Sequence, residues 1–258
     1  MTILPTRREI MAGLAAAAPL AAVLADPGLA RAAAAALQEV SLTTQGGRPV
    51  KAALALPAVQ PAPSLLLIHE WWGLNDQIKA VAADCAKQGY AALAVDLYDG
   101  RSTGTADEAK RLMQSLEPMA ATDTLVSWIQ WLRSRPNGTG AVGTLGWCFG
   151  GGWSLNASIA TPVEATVIYY GRVEQPADRL ARLKGPVLGH FASRDANIDR
   201  PMVEAFERAM KEAGKALTVY WYDADHAFAN PSGGRYDEAD AALAWQRTLT
   251  FLRANLAT

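Results

Sequence analysis

The feature that most constrains this chain is its repeated alternation of short, continuously apolar runs with longer segments of helical period. Ser64-Leu65-Leu66-Leu67-Ile68-His69 and Tyr90-Ala91-Ala92-Leu93-Ala94-Val95-Asp96-Leu97 are two such runs. A strand with one wet face alternates apolar and polar residues, whereas these runs suit strands buried on both faces of a sheet. Between them a helical pattern spans about 76–88. The same alternation continues through strands expected at 141–145, 165–170, 186–191 and Leu217–Tyr222, with segments long enough for crossover helices between them. Leu125, Ile129 and Leu132 share one helical face, Pro136 closes that helix, and a last helix is expected over 238–254. Parallel neighbours need crossover connections, so the pattern predicts an α/β fold: a mostly parallel central sheet with helices on both faces. Two extended segments within 38–56 flank Gln45-Gly46-Gly47-Arg48, whose glycines suit a hairpin at an antiparallel edge. The chain has 258 residues, a length that α/β folds reach as one domain.

The first 32 residues read differently. Thr6-Arg7-Arg8-Glu9-Ile10-Met11 precedes an uncharged, Ala- and Leu-rich stretch at 12–25, and Ala30-Arg31-Ala32 supplies small residues at a cleavage spacing. This is the outline of a twin-arginine export signal. The apolar stretch is shorter than the roughly 18 residues that span a bilayer. The expectation is therefore a signal over 1–32, read by the twin-arginine export machinery and cut near Ala32. The domain at 33–258 would then be released as a monomer into the periplasm or beyond, without stable membrane association. A formal net charge of -1 supplies no field that would attract nucleic acid. Of the two cysteines, Cys85 falls mid-helix and reads as a small buried apolar residue. Cys148 has a different setting, and the sequence leaves a bridge between the two open.

In a parallel sheet the functional groups gather at the carboxyl ends of the strands. There Gly146-Trp147-Cys148-Phe149-Gly150 matches the G-x-S-x-G nucleophile elbow with cysteine in place of serine. The turn is too tight for side chains at the flanking positions, hence the two glycines. A helix is expected to follow from near Trp153, and its N-terminal dipole favours a thiolate. The bland alternative is a glycine-rich turn with an incidental cysteine. In this fold the partners follow in the order nucleophile, acid, histidine. His190 lies inside an apolar strand and reads as a packed core histidine, whereas His226 follows strand Leu217–Tyr222 in a loop and is the better base. Asp195 is nearer the preceding strand end than Asp199, which is placed to cap the helix opening at Pro201. Asp195 would hold the imidazole tautomer. The backbone amides of Phe149 and Trp71 are the expected oxyanion donors. Glu70 is either a loop carboxylate capping backbone or a group that disfavours the thiolate by its charge or accepts the thiol's hydrogen bond.

Several motifs together carry a resemblance. His69-Glu70-Trp71-Trp72-Gly73-Leu74-Asn75, Asp96-Leu97-Tyr98, Gly146-Trp147-Cys148-Phe149-Gly150-Gly151, Tyr169-Tyr170-Gly171, Asp195 and His226-Ala227-Phe228 resemble the dienelactone hydrolase family of the α/β-hydrolase superfamily. The likeness extends from about Gln38 to the C-terminus. It implies a carboxylic ester hydrolase opening an enol-lactone or ester through Cys148, His226 and Asp195. Glu70 would contact the resting thiol, and no metal or organic cofactor is implied. Arg101, Asn230, Trp72 and Phe228 are the expected substrate contacts. The family's dienelactone-cleaving members hold the substrate carboxylate with two arginines. Arg101 is the candidate for the first, one position late, and Asn230 occupies the place of the second without its charge. Arg172 and Arg235 are possible substitutes. A neutral ester or lactone is therefore an open alternative, as is a non-catalytic protein that binds a small carboxylic ligand.

Overall fold

The computed structural model describes residues 19–256. One eight-stranded sheet comprises β1 (Gln38–Thr43), β2 (Pro49–Ala55), β3 (Ala62–Ile68), β4 (Ala91–Val95), β5 (Gly138–Trp147), β6 (Ala165–Tyr169), β7 (Val187–Ala192) and β8 (Leu217–Tyr222). Their spatial order is β1-β2-β4-β3-β5-β6-β7-β8. The first hairpin is antiparallel, β2 also runs antiparallel to β4, and every later pairing is parallel. The mixed edge and parallel body follow the sequence pattern.

The helices are α1 (Leu20–Ala25), α2 (Pro27–Ala34), α3 (Asp76–Lys87), α4 (Ala106–Ser115), α5 (Pro118–Arg133), α6 (Phe149–Ala160), α7 (Ala177–Leu180), α8 (Arg200–Glu212) and α9 (Glu238–Leu256). Successive strand residues point to opposite faces, so each apolar run fills two cores at once. Leu65 and Leu67 pack with Ile78, Val81 and Cys85 of α3 and with Leu252 of α9. Leu66 and Ile68 pack with Leu125, Trp128, Ile129 and Leu132 of α5. Each leucine so buried contributes about 1.5–3 kcal/mol. Further along the sheet, Val203, Phe206 and Met210 of α8 close a third cluster over Ile168 and Val187.

Two expectations are corrected. The helix after the elbow begins at Phe149 rather than near Trp153, because the chain turns within the single residue Cys148. The β6 to β7 connection contains only the one-turn α7 where a full crossover helix was expected. The paired arginines of the leader lie outside the described residues. The described residues of the expected signal fall in α1 and α2, which bury Val23, Ala30 and Ala33 against Ala80 of α3. Asp26 caps α2 by accepting from Gly28 N at 2.7 Å, and the expected cleavage residue Ala32 lies within that helix. Among the described residues no helix is long and apolar enough to cross a membrane. Both cysteines are free.

Candidate active site

β5 lies between β3 and β6 near the middle of the sheet and delivers Cys148 at its carboxyl end. Cys148 has φ 54° and ψ -118°, a conformation that costs a non-glycine residue about 1–3 kcal/mol and persists only where its surroundings enforce it. Those surroundings are backbone. A Cβ on Gly146 would stand 2.0 Å from the Gly150 carbonyl oxygen, and one on Gly150 would stand 2.2 Å from the Ile68 carbonyl oxygen. Neither oxygen can move aside without breaking the strand or the helix start. Cys148 N donates to Tyr169 O at 2.9 Å, while Gly151 N and Gly152 N donate back to Cys148 O at 3.0 and 3.3 Å. Phe149 opens α6, so its amide has no acceptor within the helix.

The acid and the base arrive from the ends of β7 and β8. Ser193 N donates to Tyr222 O at 2.8 Å and Arg194 N to Ala224 O at 3.1 Å, drawing the loops after β7 and β8 together. Arg194 also pairs with Asp223 at 2.5 Å and Asp225 at 3.6 Å. These pairs are exposed, so they add little stability. The outcome is a line of contacts: His226 Nε2 lies 3.2 Å from Cys148 Sγ, and His226 Nδ1 lies 2.5 Å from Asp195 Oδ2. The other Asp195 oxygen accepts from the amides of Asn197 at 2.8 Å and Ile198 at 3.0 Å. Burial alone would push the Asp195 carboxyl up, but its bond to His226 and these amides outweigh burial and hold it below the ordinary range. Asp199 instead caps α8, accepting from Met202 N at 3.0 Å. His190 is a neutral core residue between Tyr222 OH at 2.8 Å and Thr248 Oγ1 at 2.9 Å, and burial pushes its pKa down to about 3.

Glu70, just past β3, is buried beside this line. Its carboxylate accepts from Asn230 Nδ2 and, at 3.4 Å, from Tyr170 OH. Burial pushes Glu70 up to about 7, against the opposing pull of the Asn230 bond, the His226 charge, the Tyr170 bond and the Arg235 charge. Cys148 is pushed up to about 12, first by burial and then by the charge of Glu70, with the Phe149 amide opposing. Burial and the Glu70 charge thus both favour the thiol over the thiolate. The hydrogen bonds of the Glu70 carboxylate go to Asn230 and Tyr170, and its charge disfavours a thiolate at Cys148.

In the sequence His69 and Tyr170 stand only as members of motifs, with no role of their own. Tyr170 follows β6 and sets its ring edge-on to His226, with centroids 5.2 Å apart. His69 Nδ1 lies 2.6 Å from the Glu70 carbonyl oxygen, and Leu97 N donates to His69 Nε2 at 3.3 Å. The backbone donor at Nε2 assigns the proton to Nδ1. The general rule that function collects at strand ends already covered both residues, but residue type alone named no task for either.

The expected substrate contacts divide. Trp71 and Trp72 are half-buried and pack against one another with centroids 4.9 Å apart and planes tilted by 60°. Their loop is tied by Thr103 N donating to Trp72 O at 2.9 Å. Phe228 is fully buried between Tyr170 and Tyr222, at 5.4 and 4.8 Å, so it belongs to the core and not to a substrate surface. Asn230 is buried and spends its amide on Glu70, while its oxygen accepts from Ser232 N at 2.9 Å. Arg101 is exposed and donates to the Tyr98 carbonyl at 3.0 Å, and Arg172 pairs with Glu174 at 2.5 Å. Among the described residues no group of three or more His, Cys, Asp or Glu could hold a metal ion.

This geometry can be set beside known proteins. The model of the dienelactone hydrolase family matches residues 50–256. Carboxymethylenebutenolidases of Pseudomonas putida and Pseudomonas knackmussii are each 30% identical over 224 residues, covering 83% of this chain and 94% of theirs. A solved dienelactone hydrolase-like promiscuous phosphotriesterase from metagenomic libraries superposes with a TM-score of 0.78 at 21% identity. That superposition covers 86% of this chain and 99% of the other, and it speaks for the fold. The match runs from β2 through α9 and takes in every strand except β1, with the central elbow, and this chain belongs to the dienelactone hydrolase family of ester- and lactone-cleaving α/β-hydrolases.

Proposed function

We propose that Cys148 is the nucleophile of this hydrolase and that it opens its ester or lactone through a thioester acyl-enzyme. The observation that carries the reading is the unbroken line from Cys148 Sγ to His226 Nε2 at 3.2 Å and from His226 Nδ1 to Asp195 at 2.5 Å. Bound substrate displaces the influence of Glu70 from the thiol, and His226 takes the S–H proton as the sulfur attacks the carbonyl carbon. The amides of Phe149 and Trp71 receive the oxyanion. Collapse breaks the C–O bond, and His226 returns its proton to the departing oxygen, which in a lactone stays tethered. Water, deprotonated by His226, then attacks the thioester, releasing the carboxylic acid and restoring the thiol. Kinetics of Cys148→Ala on a panel of lactones and esters test this, and full retention of activity would overturn it.

The substrate proposed is a neutral ester or lactone. Asn230 is uncharged and committed to Glu70, and Arg101 is turned to its own loop. Export through the twin-arginine route, with cleavage near Ala32, is proposed from Arg7, Arg8 and the small residues before Ala33. Mass spectrometry of the protein recovered from a periplasmic extract checks it; an uncut N-terminus confined to the cytoplasm would remove the proposal.

A further inference from the structure

His69 has no task in the scheme above, yet it is wholly buried and lies between two elements that the chemistry needs. Its ring packs on Phe149, the residue after the nucleophile, with centroids 6.0 Å apart and planes 18° from parallel, and on Tyr98 at 4.9 Å. Its two nitrogens are both occupied by backbone. Nε2 accepts from Leu97 N at 3.3 Å, just past β4, and Nδ1 meets the Glu70 carbonyl oxygen at 2.6 Å. Gly73 N donates to that same carbonyl at 3.3 Å, closing the turn that carries Trp71.

The Glu70 carbonyl and the Trp71 amide belong to one peptide plane, and in a trans peptide the C=O and N–H point in opposite directions. Whatever holds the carbonyl therefore aims the amide. We infer that His69 is the positioning residue of the oxyanion hole: its Nδ1–H pins the Glu70 carbonyl and so directs the Trp71 N–H toward the carbonyl oxygen of a substrate at Cys148. Leu97 N does the second half of the work. By donating to Nε2 it keeps the proton on Nδ1, where the Glu70 carbonyl needs it. The inference rests on the reading of Trp71 and Phe149 as oxyanion donors. Without the pin the Glu70–Trp71 peptide is free to rotate, and a donor that must reorganise during the reaction stabilises the transition state less.

The test compares His69→Asn with His69→Gln, using p-nitrophenyl acetate as substrate and iodoacetamide as thiol probe. The Asn amide stands where Nδ1 stands and can still donate to the Glu70 carbonyl; the Gln amide reaches the place of Nε2. The expected result is that Asn retains kcat within a few-fold of the parent, whereas Gln loses about 10- to 100-fold, somewhat less than deletion of an oxyanion donor. KM should stay nearly constant. Alkylation of Cys148 forms no oxyanion, so its rate should be the same in both variants and the parent. His69→Phe, which keeps the ring packing and removes both nitrogens, should behave like Gln if it folds. Gln equal to or better than Asn in kcat would overturn the inference, as would alkylation falling in parallel with kcat, which would mean that His69 shapes the elbow instead. Full alkylation that left the parent's activity intact would remove the nucleophile reading, a result distinct from either of these.

Discussion

Asn230 donates its side-chain amide to the Glu70 carboxylate across 160 residues of sequence. The contact joins the loop after β8 to the loop after β3 and lies beside Cys148. It satisfies a buried carboxylate without neutralising it. Glu70 therefore keeps a proton affinity that makes it sensitive near neutral pH, and its charge adds to the burial that keeps the neighbouring sulfur protonated.

Glu70 should cost stability at alkaline pH. Its carboxyl titrates near 4.5 in an unfolded chain and at about 7 when folded, so its contribution favours the folded state below 4.5 and is lost as pH rises through 7. Glu70→Gln cannot titrate, yet its amide can still accept from Asn230 and donate to Tyr170 OH. Urea unfolding should show this variant gaining on the parent as pH rises across that window, by on the order of 3 kcal/mol at the plateau. A difference that did not change with pH would show that Glu70 is not held as a buried acid.

The two cysteines should react very differently. Cys85 is fully buried with its thiol pushed well above 9.0, and Cys148 is pushed to about 12 but stands part-exposed at the carboxyl end of β5 with a base beside it. Iodoacetamide should modify the native protein slowly and once, at Cys148, and a second time only after unfolding. Glu70→Gln should speed the first event roughly 3- to 10-fold above pH 7, where the parent carries the Glu70 charge, and leave it unchanged well below pH 7. Equal reactivity of the two thiols would favour a non-catalytic binding protein.

Asp195→Asn should fold and lose activity. An asparagine amide donates to His226 Nδ1, which places the imidazole proton on Nε2, facing a sulfur whose proton it can then no longer accept. A loss of about 10³–10⁴-fold in kcat is expected from steady-state kinetics, with KM little altered. Retention of more than a tenth of the activity would mean that His226 does not act as the base.

Asn230→Arg should alter selectivity. A guanidinium there offers a charge-assisted bond to a substrate carboxylate, worth about 1.5–3 kcal/mol. The ratio of kcat/KM for carboxylate-bearing lactones over neutral esters should rise roughly 10- to 100-fold. An unchanged ratio would place residue 230 out of reach of substrate.

Much of this site was legible in the sequence because it depends on short-range geometry. The glycines at 146 and 150 announce a turn with no room for Cβ, and the structure gives the reason in two backbone oxygens about 2 Å from where those atoms would be. The order of Cys148, Asp195 and His226 along the chain, each just past a strand, was readable for the same reason. The sequence pattern starts the helix after the elbow four residues late because glycines read as loop, although here they serve close packing. The family resemblance makes Phe228 an expected substrate contact, yet it turns inward to Tyr170 and Tyr222.

By itself the sequence determined the α/β alternation, the elbow and the chain order of its partners, since apolar periodicity and backbone sterics act over a few residues. Only the tertiary structure decided that Asn230 serves Glu70, that Tyr170 shares that carboxylate, and that His69 links Leu97 to the Glu70 carbonyl. Hydrogen bonds between distant residues are set by which strands lie side by side. In this sheet β3 sits between β4 and β5, an order that no local pattern in the chain specifies.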